Sequence, residues 1–487
     1  MDPPVLQTEP QFSLGEKLVK VIGWIQKPNK YFDLYALTML CIVSKELSYV
    51  ATLIINNSTR HEVSNVSNEK IKFYLLKLKL KTPLLLVKQL SLLAKQLSRM
   101  KNLTHLCLSN TYIGQIGALA LVEHGALSNS LTHLDISNTH IQSEDMIKLI
   151  PIIGDMTKLQ HLNIAMKSYY YRQPIYPSDV VIMTLAPYLE LMTELTHLNL
   201  GGHKISQTGA ERLAASLLHI DSLTYVNLFS CGLGDSVIAL APSFSRMTNL
   251  TCINLFENNI HTHSMAALAS CFVDITKLTT LDLSCNFISD TGGSELGPLL
   301  SPVTNLTSLN LSHILVKYSS NRDSDTQSSI ALVQCLVHMI KLTHLDISDN
   351  NIGVQGAIAL ASCLPYISKL THFNVSSNNI GVQGAIALAS SLPYMCELTT
   401  LELSRNKIHA HGALKIVRNY THMTKLAHID FSYNNIGGRG VKALVPCLAH
   451  MTNLRYINLH PNNIKKDVIP ILKELFAQMT NLKVDII

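Results

Sequence analysis

At 487 residues, 47% hydrophobic and 15% charged, the chain can bury a large core and is not of the intrinsically disordered kind. Thirty-nine Lys and Arg against 33 Asp and Glu leave +6 with histidine neutral, too thin an excess over this length for a nucleic-acid binder. No membrane span is expected, because the longest apolar stretches, Tyr35–Val43 and Leu84–Val87, are too short to cross a bilayer.

In chain order, residues 1–13 read as a polar, flexible tail. MDPPVLQTEPQF lacks the basic and apolar regions of a secretory signal, so a cytoplasmic protein is expected. Residues 14–55 read as a small helical module: Leu14, Leu18, Val21, Ile22 and Ile25 recur at helical spacing, and after the Pro28-Asn29 turn so do Leu34, Leu37, Leu40, Val43 and Leu47. With Glu16, Asp33-Leu34 and Val43-Ser44-Lys45, this module resembles an F-box, although Gly15 stands where that pattern has proline and Leu47 where it has tryptophan. The resemblance implies docking of a Skp-type adaptor through Leu14, Leu18, Ile22, Leu34 and Leu37. The other reading is a helical cap that closes the first unit of a repeat array. Residues 56–69 are polar and read as a linker.

From residue 70 the chain repeats. NIGVQGAIALAS occurs at 351–362 and again at 379–390, an offset of 28. Counting from the first leucine of LxxLxL, units begin at 75, 103, 131, 159, 195, 223, 250, 278, 306, 342, 370, 398, 426, 454 and 482. LTHLDIS alternates with the period of a strand and GAIALASCL has the period of a helix, so each unit predicts one strand and one helix. The pattern LxxLxLxxNxIxxxGxxxLAxxL resembles the leucine-rich repeat of the ribonuclease-inhibitor-like class. That resemblance implies an α/β solenoid over residues 70–487, a horseshoe with a parallel concave sheet and convex helices, about fourteen repeats and a terminal half repeat. Between Lys70 and Lys101 there are nine Lys or Arg and no acid; Lys77, Lys79 and Lys81 suit a charged, protected sheet edge.

Position nine of the unit is Asn at 258, 286, 350, 378, 406, 434 and 462, but Thr111, Thr139, Lys167, His203, Cys231 and Ile314 elsewhere. The resemblance gives that asparagine a structural role, and the first half is therefore expected to be less regular. The ten cysteines contain no CxxC pair, and Cys271, Cys335, Cys363 and Cys447 share one helix position, which favours reduced core thiols over disulfides or a zinc site.

Positions three, five and seven repeatedly spell His, Asp, Ser, as in His133-Asp135-Ser137 and His344-Asp346-Ser348. Alternate side chains on one strand project in parallel about 6.6–6.8 Å apart, whereas a catalytic triad must converge, so no enzyme is expected. Histidine fills position three at 105, 133, 161, 197, 344, 372 and 428. Aligned strands would bring these rings into a row, and protonation of that row would disfavour a basic partner. No metal and no cofactor is expected; no GxxxxGK[ST] phosphate loop occurs. A GTPase-activating protein of the Ran type also carries related repeats, but none of its catalytic loop residues is assignable here.

Function should lie where units depart from their own consensus. Position seven becomes Phe229 and Phe256, beside Tyr225 and Glu257, an expected aromatic anchor on the concave face. Two units are eight residues longer between strand and helix: one carries Tyr169, Tyr170, Tyr171, Arg172 and Tyr176, the other Lys317, Tyr318 and Arg322. Both insertions should emerge on one rim and flank the aromatic strip. The expectation is a non-enzymatic protein-binding scaffold. Its alternative is a substrate receptor of a ubiquitin ligase, which in a secreted bacterial effector would act in the host cytosol.

Overall fold

The computed structural model describes the strand 72–74, positions 91, 94, 95, 97 and 98, and residues 103–486 except 126, 128, 167–178, 290–291, 316–323, 420 and 480. The expected tail, helical module and linker, with Leu14, Leu18, Ile22, Leu34 and Leu37, lie outside the described residues, as do both rim-loop clusters, Tyr169 to Tyr176 and Lys317 to Arg322.

From residue 103 onward strands and helices alternate. The strands are β1 (Lys72–Tyr74), β2 (His105–Cys107), β3 (His133–Asp135), β4 (His161–Asn163), β5 (His197–Asn199), β6 (Tyr225–Asn227), β7 (Cys252–Asn254) and β8 (Thr280–Asp282), then β9 (Ser308–Asn310), β10 (His344–Asp346), β11 (His372–Asn374), β12 (Thr400–Glu402), β13 (His428–Asp430), β14 (Tyr456–Asn458) and β15 (Lys483–Asp485). The helices between them are α1 (Gly114–Glu123), α2 (Ser143–Gly154), α3 (Val180–Leu189), α4 (Gln207–Leu217), α5 (Val237–Arg246), α6 (Thr262–Phe272) and α7 (Gly292–Leu300), then α8 (Ser324–Gln334), α9 (Gly353–Cys363), α10 (Gly381–Ser391), α11 (His409–Val417), α12 (Gly437–Leu448) and α13 (Ile469–Ala477). Each strand pairs in parallel with the next, in sequence order, to form one sheet. This is an α/β leucine-rich repeat solenoid. Neighbouring strands stand about 4.8 Å apart, whereas packed helices need about 8–10 Å. A stack of such units curves, with strands on the inside.

The core is one continuous column. In the unit that starts at Leu342, the leucine and Leu345, Ile347, Ile352, Ala357 and Leu360 are at most 2% exposed. Glycine keeps the helices close. A Cβ on Gly384 would lie 2.8 Å from the Ala357 Cβ of the preceding helix, and one on Gly412 would lie 2.8 Å from Ala385.

Position nine ties the units together. Asn406 donates through Nδ2 to the Val375 carbonyl of the preceding unit at 2.8 Å and to its own Leu403 carbonyl at 3.1 Å, while its Oδ1 accepts from the backbone N–H groups of Asn378 and Ile380. Asn258, Asn286, Asn350, Asn378, Asn434 and Asn462 likewise reach a carbonyl of the preceding unit. In the first half, the hydroxyls of Thr111 and Thr139 reach only their own unit, at Leu108 and Ile136. The expected irregularity does not extend to the strands, which have three residues each in both halves, because buried side chains and the sheet ladder are the same throughout.

Both end strands correct the leucine count. Lys72 pairs with His105, so β1 lies five residues before the expected strand at 77–79; Ile71 and Phe73 alternate as well as Leu78 and Leu80 do, and pairing with β2 decides between them. Lys483 pairs with Tyr456, one residue earlier than a 28-residue step, because the closing turn is shorter. Lys77, Lys79 and Lys81 fall outside the described residues.

Candidate binding face

From β2 onward, positions three and five of each strand line the concave face, and two ladders orient them. At position two, threonine hydroxyls donate across units: Thr132 to the Thr104 carbonyl at 3.1 Å, Thr196 to Gln160 at 2.8 Å, Thr343 to Thr307 at 2.9 Å and Thr371 to Thr343 at 3.0 Å. The same four oxygens stand 2.8–2.9 Å from Nδ1 of His133, His197, His344 and His372. A hydroxyl has one proton, here given to the carbonyl, so the ring must supply the second. These four imidazoles are therefore Nδ1–H tautomers with Nε2 as acceptor.

The rings form a row. Stacked centroids are 3.8 Å apart for His105 and His133 and 5.7 Å for His133 and His161; His161 and His197 are tilted at 5.3 Å, and His197 stacks on Tyr225 at 5.6 Å. His344 and His372 make a second stack at 4.3 Å, and His428 tilts against Tyr456 at 6.1 Å. Burial lowers the affinity of His161 for a proton, and His197 lowers it further against an opposing pull from Asp135; burial does the same to His197. His372 is lowered by burial and then by His344 and His428. His105, expected among the exposed rings, is 9% exposed because His133 covers it. Among the described residues no group of three or more His, Cys, Asp or Glu could hold a metal.

The His-Asp-Ser strings do not converge. At position five the carboxylate or amide oxygen accepts the backbone N–H two residues on, as Asp135 does from Ser137 at 2.9 Å and Asn374 from Ser376 at 3.0 Å. The Ser137 and Ser348 hydroxyls also donate to Asp135 and Asp346, at 2.7 and 2.6 Å. The aspartate thus closes the turn after the strand and holds the serine, and the histidine is held by its threonine. A sequence reader could have found the Thr-His pairing, since Thr precedes five of the seven position-three histidines.

The aromatic pair sits lower than expected. Phe229 and Phe256 are half-buried, not exposed. A Cβ on Gly201, the position-seven residue of the preceding unit, would fall 2.1 Å from the Phe229 ring; the ring has settled into the space that glycine leaves. The signal was Gly201 itself. Tyr225, also half-buried, accepts at Oη from Asn227 Nδ2 at 3.1 Å, and Glu257 accepts from the Ser230 hydroxyl. Farther along, β8 to β12 enclose an open trough of about 310 Å³, lined by position-three and position-five side chains.

Of the described thiols, Cys231, Cys335 and Cys363 are core groups and Cys396 is exposed. The nine described cysteines are free, and burial pushes Cys335 up to about 12, helped by Cys363, which burial pushes up to about 11. Cys335 and Cys363 are buried, while Cys271 and Cys447 are half-buried. No described helix is long and apolar enough to cross a membrane.

A family model described as "Leucine Rich repeat" matches residues 127–149, 192–214, 275–297, 338–361, 366–389, 394–417 and 422–445. These seven stretches are leucine-rich repeats. Solved structures similar to this leucine-rich repeat chain include an internalin from Listeria monocytogenes (16% identity, 80% of this chain and 88% of that one, TM-score 0.36) and a leucine-rich repeat protein of Leptospira interrogans (14%, 88% and 98%, TM-score 0.41). A chain of the yeast Rad7–Elc1 complex is similar at 15% identity over 70% of this chain and 92% of that one, with a TM-score of 0.32. No curated protein matches the sequence.

Proposed function

We propose that this leucine-rich repeat protein is a recognition scaffold that binds another protein on its concave face, with Phe229 and Phe256 as anchors and Tyr225 and Glu257 beside them, and performs no chemistry itself. The observation that carries this reading is a pair of half-buried aromatic rings on the neighbouring units of β6 and β7, where five other units bury a serine at 1–7% exposure. Anchors of this kind, partly sunk and preorganised, lose little freedom on binding. The inserted segments carrying Tyr169–Tyr171, Arg172 and Tyr176, and Lys317, Tyr318 and Arg322, follow β4 and β9 in the chain, and are read as loops flanking the anchors. Free thiols suit the reducing cytoplasm.

The test is capture of partners from eukaryotic cytosol by the full chain and by Phe229→Ser/Phe256→Ser, which restores the position-seven consensus. Affinity for the captured partner should fall by roughly thirtyfold, as loss of about 2 kcal/mol at an interface anchor implies. Undiminished binding with the fold intact would sink the reading. A second reading rests on Glu16, Asp33-Leu34 and Val43-Ser44-Lys45: a Skp-type adaptor docks on Leu14, Leu18, Ile22, Leu34 and Leu37, and the solenoid presents a substrate for ubiquitin transfer. Leu34→Asp/Leu37→Asp in the full chain should then lose the adaptor and keep the concave-face partner; an adaptor absent from the wild-type capture removes this reading.

A further inference from the structure

The trough over β8–β12 has a charge pattern that the aromatic anchors do not use. Position-five residues stand in register across it as Asp282, Asn310, Asp346, Asn374 and Glu402. Carboxylates therefore occupy every second strand. No lysine or arginine lines the trough, and Arg405, three residues beyond Glu402, is turned over the Tyr433 ring at 4.1 Å. Asn310 donates to Asp282 at 3.2 Å and Asn374 to Asp346 at 3.0 Å, which fixes both carboxylates in place. Glu402 is exposed at the end of the row, and no described residue donates to its carboxylate. The walls of the trough withdraw enough water to raise its proton affinity, and Asp346 and Asp430 add to the effect. A row of like charges with no internal counter-charge is stabilised by a cation brought from outside.

The spacing identifies the shape of that cation. Second-neighbour strands are about 9.6 Å apart. A polyproline-type helix rises about 3.1 Å per residue with three residues per turn, so side chains three apart are about 9.3 Å apart on one face. Between the acids, His344 and His372 present Nε2 acceptors, since their Nδ1–H groups are held by Thr343 and Thr371, and so favour side chains that donate, such as an ammonium or a guanidinium. Nucleic acid and acidic protein are repelled by the same row.

We propose that this trough takes an extended, polyproline-like peptide segment with Lys or Arg at every third residue, lying across the strands with its cations on Asp282, Asp346 and Glu402. The proposal rests on the concave sheet being the recognition face, and adds the chemistry of one stretch of the partner.

Fluorescence anisotropy of the full chain with labelled (Lys-Pro-Pro)5 tests it, against a peptide of the same composition with its lysines contiguous and against (Glu-Pro-Pro)5. The period-three peptide should bind at least tenfold tighter than the contiguous one, and the acidic peptide should not bind. Glu402→Gln should weaken binding by roughly three- to fivefold, the scale of one exposed ion pair, and Glu402→Lys by more, with no fall in melting temperature because the side chain is exposed. Equal binding of the two lysine peptides, no binding of either, or affinity indifferent to both Glu402 variants would overturn the proposal. If the peptide fails while capture still depends on Phe229 and Phe256, the concave-face reading stands and the cationic occupant falls; if capture is indifferent to the phenylalanines, that reading itself fails.

Discussion

His203 shows how one buried side chain couples this protein to pH. It stands at position nine, 1% exposed, where Nε2 donates to the Ile164 carbonyl of the preceding unit at 2.8 Å. That bond performs the cross-unit part of the asparagine's role and fixes the tautomer, so the other nitrogen, Nδ1, is a buried acceptor with no hydrogen-bond partner. Burial lowers the ring to about 4, against a smaller opposing effect of the Ile164 carbonyl. The unfolded chain takes up a proton near pH 6.5 and the folded one does not. The stability that His203 contributes is thus complete above pH 6.5 and is lost as pH falls from there toward 4, on the order of 3 kcal/mol across that window. His203→Asn should raise the melting temperature at neutral pH, by an amount equivalent to about 1 kcal/mol, and should flatten its decline between pH 6.5 and 4. Melting curves of both proteins across that range check this, and an unchanged acid slope would refute it.

At the scale of elements, the close helix contact is the sensitive point. Gly384 and Gly412 let α10 and α11 approach the alanines of the helices before them. Gly384→Leu places a branched side chain where even a Cβ is tight, and should destabilise by about 1–3 kcal/mol through overpacking, read as a lower denaturant midpoint; Ser390→Leu, exposed on the same helix, should not. The helices, this glycine position and the strand repeat were legible in the sequence, because LTHLDIS and GAIALAS carry their periods openly. The end strands were not. Phe73 and Leu78 satisfy the same alternation, and only pairing with His105–Cys107 chooses between them. Phe229 read as exposed because strand position alone sets its direction; how deep it sits depends on Gly201 in the neighbouring unit.

Over the whole molecule, stability should be uneven although the fold is uniform. Asn350, Asn378, Asn406, Asn434 and Asn462 form an unbroken chain of cross-unit bonds, whereas Ile314 interrupts it and Thr111 and Thr139 bond only within their own units. A solenoid's stability is approximately a sum over units and their nearest-neighbour interfaces, so the second half should open less often. Hydrogen exchange should protect the amides of β10–β13 longer than those of β2–β4; equal protection would show that the ladder adds nothing to the interfaces. By itself the sequence determined the unit, its period, the parallel stacking and the alignment of equivalent positions, because a repeated pattern that cannot cover its own apolar faces has to stack on its copies. The tertiary structure decided what no single unit contains: the register of the end strands, the tautomer that a threonine of one unit fixes on a histidine by bonding to the unit before it, and the trough of carboxylates on every second strand. Each of these depends on the distance between neighbouring units, and that distance is set by packing.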